Sequence, residues 1–154
     1  RLVDLHVEEH PTPIRELQRL LDIRRGQLAA AEATGYLDQL ASAPDAEKDR
    51  LLEEASTAAE RAVTVNRASD ANWWLAAQTR LLTGDRPGAL EAAQTALLLS
   101  PSWPRLPEST RIELSVKPEL IEALREDDGF RRLWDALAVQ APVALEAAPQ
   151  ESAE

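Results

Sequence analysis

Cysteine is absent from this 154-residue chain, which excludes a disulfide framework and a thiolate metal site. Methionine is absent as well, so we expect the sequence to be a processed or excised piece of a longer protein. No run of about 18 apolar residues occurs, and such a run is needed to span a membrane. Glycine is scarce, and the sequence contains neither a phosphate-binding glycine loop nor a G-x-S-x-G nucleophile turn. We therefore expect no active site and no cofactor in this chain.

Positive charge is also in short supply. The chain has 17 basic residues against 27 acidic ones, for a formal net charge of −10, and only Lys48 and Lys117 are lysines. This acidic surplus repels nucleic acid and anionic lipid, so we expect neither a nucleic-acid partner nor a membrane partner. The hydrophobic content of 44% is sufficient for the core of one domain of ordinary size.

What the sequence does contain is helical periodicity, from Thr12 almost to the end. Thr12 as N-cap and Pro13 at the first helical position begin a helix that Gly35 is expected to break. An apolar stripe on this helix consists of Ile14, Leu17, Leu20, Leu21 and Leu28. Further helices are predicted over residues 36–41, 44–66, 70–84, 87–99, 118–125 and 128–138. Asp70 is the expected cap of the helix over residues 70–84. The predicted fold is all-α with antiparallel helical hairpins over residues 12–139, followed by a flexible tail over residues 140–154.

The first eleven residues alternate like a β-strand instead. Val3, Leu5 and Val7 would share one face, yet no second strand follows. An unpaired strand edge is a liability, so we interpret residues 1–11 as an extended junction to a missing neighbouring domain. The candidate junction residues are Val3, Leu5, Val7 and His10.

The same segment satisfies the zinc-peptidase pattern H-x-x-E-H at His6 to His10. Pro11 disfavours helical geometry at His10. In an extended chain the two histidines lie about 13 Å apart, too far to share one ion that binds at about 2 Å. We therefore predict no metal site.

The segment from Asp70 to Pro101 resembles a tetratricopeptide repeat. A tryptophan opens its first helix, Gly84 and Asp85 form a tight turn, and Ala89 and Ala96 mark its second helix. Shifting back by about 34 residues aligns the second helices, as Ala55 with Ala89, Ala59 with Ala93, Ala62 with Ala96, and Val63 with Leu97. Short side chains at Ala77, Ala89 and Ala96 allow antiparallel helices to approach closely. The first helices do not repeat, because Pro44 would fall inside the earlier one and Gln39 replaces Trp73.

Two adjacent tryptophans are expected to divide between core and surface. Trp73 is assigned to the core, and Trp74 points about 100° away around the helix, toward a concave side. Together with Gln78, Leu81 and Leu82, Trp74 forms the candidate interaction surface, for packing within the protein, for a second subunit, or for a ligand.

The N-terminal residues also resemble the junction in a bacterial family catalogued as domain of unknown function 1028, with the pattern V-D-L-R-V-D-D-H-P-x-P-V-x-E-L-x-R-L-L. The matching residues are Asp4, Leu5, Val7, His10, Pro11, Pro13, Glu16, Leu17, Arg19, Leu20 and Leu21. His6 replaces an arginine, and Glu8 and Glu9 replace aspartates. The resemblance implies an N-terminal-nucleophile-hydrolase-like region upstream and a peptidoglycan-binding helical region here.

Three hypotheses about function follow. The leading one is a non-catalytic, tetratricopeptide-like accessory domain that contacts a protein partner or its missing neighbouring domain. The alternative, implied by the resemblance, is the peptidoglycan-binding C-terminal region of an N-terminal-nucleophile-hydrolase-like enzyme. Its nucleophile would lie in a missing part, because Arg1 cannot act as the required Ser, Thr or Cys. The third is a dimerisation element that acts by self-association.

Overall fold

The computed structural model describes residues 11–139, which form seven α-helices and no strand. The helices are α1 (Pro11–Leu40), α2 (Asp45–Val65), α3 (Asp70–Leu82), α4 (Arg86–Leu99), α5 (Glu108–Glu113), α6 (Pro118–Leu124) and α7 (128–139), with a 3-10 turn at Trp103–Arg105. Helix α1 packs against α2, and α3 packs against α4. The predicted all-α fold of helical hairpins is confirmed, and the chain divides into two compact units, Arg1–Arg67 and Ala68–Glu154.

Several predictions fall on residues outside the described part of the chain. They are the extended strand with its junction residues Val3, Leu5, Val7 and His10, the histidine pattern, and the tail over residues 140–154. Of the predicted strand only Pro11 is described, and it begins α1.

The predicted break at Gly35 is wrong, because α1 continues through this residue to Leu40. A single interior glycine costs a helix only about 1 kcal/mol relative to alanine. Ala29, Ala33 and Leu37 form one buried face that crosses the glycine without interruption. Burial of this face outweighs the local preference of Gly35.

The alanine pattern of the two second helices is confirmed. In α2 the aligned residues are buried, and in α4 the corresponding residues are equally buried. The eight residues are Ala55, Ala59, Ala62, Val63, Ala89, Ala93, Ala96 and Leu97. Each unit therefore uses the same stripe of small side chains for close helix packing.

The turn between α3 and α4 follows the predicted chemistry. Gly84 has a φ of 88°, a left-handed conformation that glycine adopts without steric cost. The Asp85 side chain then accepts a hydrogen bond of 3.0 Å from the Gly88 N–H and caps α4. At the start of α3 the cap is Ser69, whose hydroxyl accepts from the Asn72 N–H, and not Asp70 as predicted.

Asp70 has a different partner in the second unit. Its Oδ2 accepts a hydrogen bond of 2.6 Å from Trp103 Nε1. This bond joins the first turn of α3 to the 3-10 turn at Trp103–Arg105, 33 residues further along the chain. Because Trp103 itself is buried, the bond satisfies an indole N–H that would otherwise be costly to bury.

An aromatic cluster fills the centre of the second unit. Trp74 contacts Trp103 edge-on at a ring separation of 5.7 Å and Trp134 at 6.3 Å, and Phe130 stacks on Trp134 at 6.0 Å. Edge-on and offset geometries suit the quadrupoles of aromatic rings. The cluster gives this unit a large-residue core beside its alanine-lined helix pair.

Trp74 is therefore core, with only 2% of its surface accessible. Its predicted position on an open concave face is wrong, and of the three alternatives for this residue the structure shows packing within the protein. The prediction treated that side of α3 as an open concave face, whereas Trp103 and Trp134 cover it. Trp73, predicted to be core, is only partly buried, with the Arg80 guanidinium 5.8 Å from the centre of its ring. The two tryptophans exchange the roles assigned to them.

Candidate functional site

The remaining three residues of the predicted interaction surface lie together in one pocket of the second unit. Gln78, Leu81 and Leu82 of α3 form one wall, since residues spaced by three and four share a helix face. The opposite wall is formed by Lys117, Glu119 and Leu120 at the start of α6. We call this six-residue cavity the docking pocket.

A left-handed residue positions the α6 wall of the docking pocket. Ser115 has a φ of 68° just after α5, and the Val116 N–H donates back to the Arg111 carbonyl over 2.8 Å. This is the hydrogen-bonding pattern with which helices commonly end at a left-handed residue. The turn places Val116 in the core and the next residue, Lys117, at the pocket.

The size of the docking pocket limits what it can hold. Its volume of about 110 Å³ is several times the roughly 30 Å³ of a water molecule. It is well below the 300–1,000 Å³ or so that is typical of drug-sized ligand sites. A single aliphatic side chain fits these dimensions.

The chemistry of the docking pocket suits such a side chain with a carboxylate beside it. Three leucines supply the apolar lining, with Leu120 buried and Leu82 48% exposed at the mouth. Lys117 is exposed and makes no ion pair with another residue of the described range 11–139. Lys117 and Glu119 give the lining one charge of each sign, and the Lys117 ammonium is the group that can bind an incoming carboxylate.

The α6 wall of the docking pocket was not predicted from the sequence. Lys117, Glu119 and Leu120 lie more than 30 residues from α3, and no periodicity links them to it. The only local signal was Pro118, which indicated where α6 begins. Which helix α6 lies against is set by packing of the whole unit.

A second, larger groove of about 470 Å³ lies in the first unit, between α1 and α2. Its lining residues are Glu32, Tyr36, Arg50, Glu53, Glu54, Thr57 and Arg61. Arg50 lies 3.4 Å from Glu54, and Arg61 lies 3.6 Å from Glu32, so both guanidinium groups are paired within the groove. The first pair lies along α2 and the second joins α2 to α1, which favours a structural role for the groove.

The one tyrosine of the chain provides a probe of this groove. Glu54 raises the pKa of the Tyr36 hydroxyl, through hydrogen bonding to the protonated form and through its negative charge. We predict that Tyr36 ionises above its ordinary pKa of about 10 and that Glu54→Gln moves the midpoint down. Ultraviolet absorbance at alkaline pH reports this residue alone.

The sign of the associated stability change follows from linkage. A pKa raised by folding stabilises the fold below the unfolded-state value, and this stabilisation is lost as the pH rises through the folded-state value. Glu53→Gln is the matched control, because Glu53 lines the groove but does not contribute to the raised pKa of Tyr36. Equal midpoints in Glu54→Gln and the original chain would contradict the assignment.

The part of the chain that the structure describes has neither a metal-binding cluster nor a membrane-spanning helix. Among residues 11–139, no group of three or more His, Asp or Glu side chains is arranged to hold a metal ion. No helix in the same range is both long and apolar enough to cross a membrane.

Comparisons of the chain with protein-family models, with curated proteins and with solved structures gave no match.

Proposed function

We propose that this chain is a non-catalytic helical scaffold that docks a segment of a protein partner or of a neighbouring domain. The observation that carries the proposal is the docking pocket. Its occupant is an aliphatic side chain of about leucine size with a carboxylate alongside, which contacts Leu81, Leu82 and Leu120 and pairs with Lys117. An anchor of this kind in a fitted pocket is how protein interfaces concentrate their binding energy.

The burial of three tryptophans argues against the peptidoglycan alternative. Trp74, Trp103 and Trp134 are each less than 10% exposed, so their faces are not available to stack on sugar rings. Trp73 is partly exposed, but Arg80 lies over its ring. A cell-wall function therefore has no support from the described residues, and protein docking is the better proposal.

A random peptide library selected against the intact chain tests the proposal. We predict that the selected peptides contain an aliphatic residue next to an acidic residue or at a free C-terminus. We predict that Leu82→Glu weakens them at least about tenfold, a loss of about 1.4 kcal/mol in binding free energy. The reason is that the new carboxylate lies at the apolar mouth of the pocket and opposes the carboxylate of the peptide.

The matched control is Leu98→Glu. Leu98 is 77% exposed on α4 and does not line the docking pocket. Both variants place a glutamate at an exposed leucine of the same unit, so a general effect of charge would weaken binding equally. Peptides that bind Leu82→Glu as tightly as the original chain, or a selection that yields no peptide, would refute the docking function.

A further inference from the structure

The N-terminal half of α1 exposes an aliphatic surface in the first unit, on residues separate from the docking pocket. Every residue from 13 to 21 is exposed. Between residues 13 and 28, five large apolar side chains are between 43% and 66% exposed, and they are Ile14, Leu17, Leu20, Leu21 and Leu28. These residues are the apolar stripe predicted from the sequence, but the stripe does not face a core.

The exposed stripe and the buried face of α1 are different sides of the helix. At 3.6 residues per turn, Ile14, Leu17, Leu21 and Leu28 fall within an arc of about 60°. The buried residues Ala29, Ala33 and Leu37 are centred about 130° away around the helix. The stripe is therefore a second apolar face, distinct from the one that α1 buries.

Helix lengths explain why part of this face is uncovered. Helix α1 has 30 residues and α2 has 21, and a short connection joins them. At about 1.5 Å per residue, α1 is longer by roughly 13 Å. Its first turns, with Ile14 and Leu17, extend beyond the end of α2.

The spacing of the stripe indicates a helix as the partner. Positions 14, 17, 21, 24 and 28 alternate by three and four residues, which is the repeat that packs one helix against another in a coiled coil. Arg24 occupies one of these positions, and it makes no ion pair with another described residue.

Charge indicates what kind of helix fits. Between residues 13 and 28 the chain has four arginines and two acidic residues, a local positive surplus in a protein of net charge −10. Arg24 and Arg25 lie on opposite edges of the stripe, about 100° apart around the helix. Arg25 is 3.6 Å from Asp22, a long and exposed ion pair that leaves it able to contact a partner.

A second copy of the chain fits this surface poorly. Two copies would face each other with the same positive surplus, which opposes association. The stripe from Ile14 to Leu28 is also only about 21 Å long.

We propose that the N-terminal half of α1 docks an acidic amphipathic helix of a partner protein. The partner places its aliphatic seam on Ile14, Leu17, Leu21 and Leu28, and its carboxylates pair with Arg24 and Arg25. This interaction is independent of the docking pocket, because it uses other residues in the other unit.

Two synthetic helical peptides test this proposal with the intact chain. Both carry leucines at coiled-coil spacing, and one has glutamates at the flanking positions where the other has lysines. We expect the acidic peptide to bind at least about tenfold more tightly in calorimetry. The double variant Leu17→Glu, Leu21→Glu should lose at least that factor, whereas Leu98→Glu should bind unchanged. All replaced leucines are exposed, and circular dichroism verifies that each variant is folded.

Charge reversal provides the decisive comparison. The variant Arg24→Glu, Arg25→Glu keeps the aliphatic stripe, and it should prefer the basic peptide over the acidic one. Four results would overturn the proposal: no binding of the acidic peptide, equal affinity for both peptides, tighter binding to vesicles containing phosphatidylserine, or a stable dimer that Leu17→Glu dissociates. None of these outcomes depends on Leu82, so the two docking surfaces fail or succeed separately.

Discussion

Replacing Trp74 with alanine is expected to destabilise the second unit by about 3–5 kcal/mol. Trp74 is 2% exposed and contacts two further tryptophans edge-on. Truncation removes its buried apolar surface and both ring contacts, and it leaves a cavity that the surrounding helices can only partly close. The loss is measured by urea denaturation followed by circular dichroism.

The adjacent residue is the matched control for this experiment. Trp73→Ala removes the same side chain from the same helix turn, but Trp73 is only partly buried and contacts Arg80. Because Trp73 keeps part of its surface in solvent, its truncation removes less buried apolar area, so this variant should lose clearly less stability. If Trp73→Ala destabilises as much as Trp74→Ala, the packing of the second unit differs from that described above.

The exchange of roles between the two tryptophans shows where sequence reasoning ends. Helical periodicity predicts that Trp73 and Trp74 face different directions, and the structure agrees. Which of the two tryptophans lies in the core depends on the elements that pack against α3. Trp103 and Trp134 belong to segments 30 and 60 residues downstream, and no local pattern assigns them to that face.

Helix α1 shows the same limit of sequence reasoning, because its apolar stripe is exposed. Its apolar stripe was recognised correctly as one face, but periodicity does not reveal whether a face is covered. In α1 the buried face is made mostly of alanine, which a search for large hydrophobic residues passes over. Gly35 was predicted to break the helix because glycine locally disfavours helical structure. That prediction did not include the long buried face of α1, which stabilises the helix across this residue.

Repeated small residues were the most informative part of the sequence. A shift of about 34 residues predicted that α2 and α4 repeat, and all eight aligned residues are buried. The alanine pattern predicts helix packing here because two closely packed helices require small side chains, and each repeat has the same requirement. The docking pocket was predicted only on its α3 side, since Lys117 and Leu120 belong to no repeated pattern.

Replacing Ala77 with leucine should therefore destabilise the second unit by about 1–3 kcal/mol. Ala77 is completely buried on α3, and α4, which packs against that helix, has buried alanines of its own. A leucine there needs space that the close approach of the helices does not leave, so helices must separate or side chains must leave their preferred rotamers. Urea denaturation and the near-ultraviolet circular dichroism of the tryptophan cluster measure the loss.

Ala71→Leu distinguishes this steric effect from helix propensity. Ala71 lies on the same helix and is exposed, so the same substitution adds volume where there is room. Alanine and leucine are both strong helix formers, and the control should change stability by less than about 0.5 kcal/mol. Near-native stability of Ala77→Leu would show that α3 tolerates a wider separation from its neighbours. Small residues would then not be what sets the helix spacing, and the repeated alanines would need another explanation.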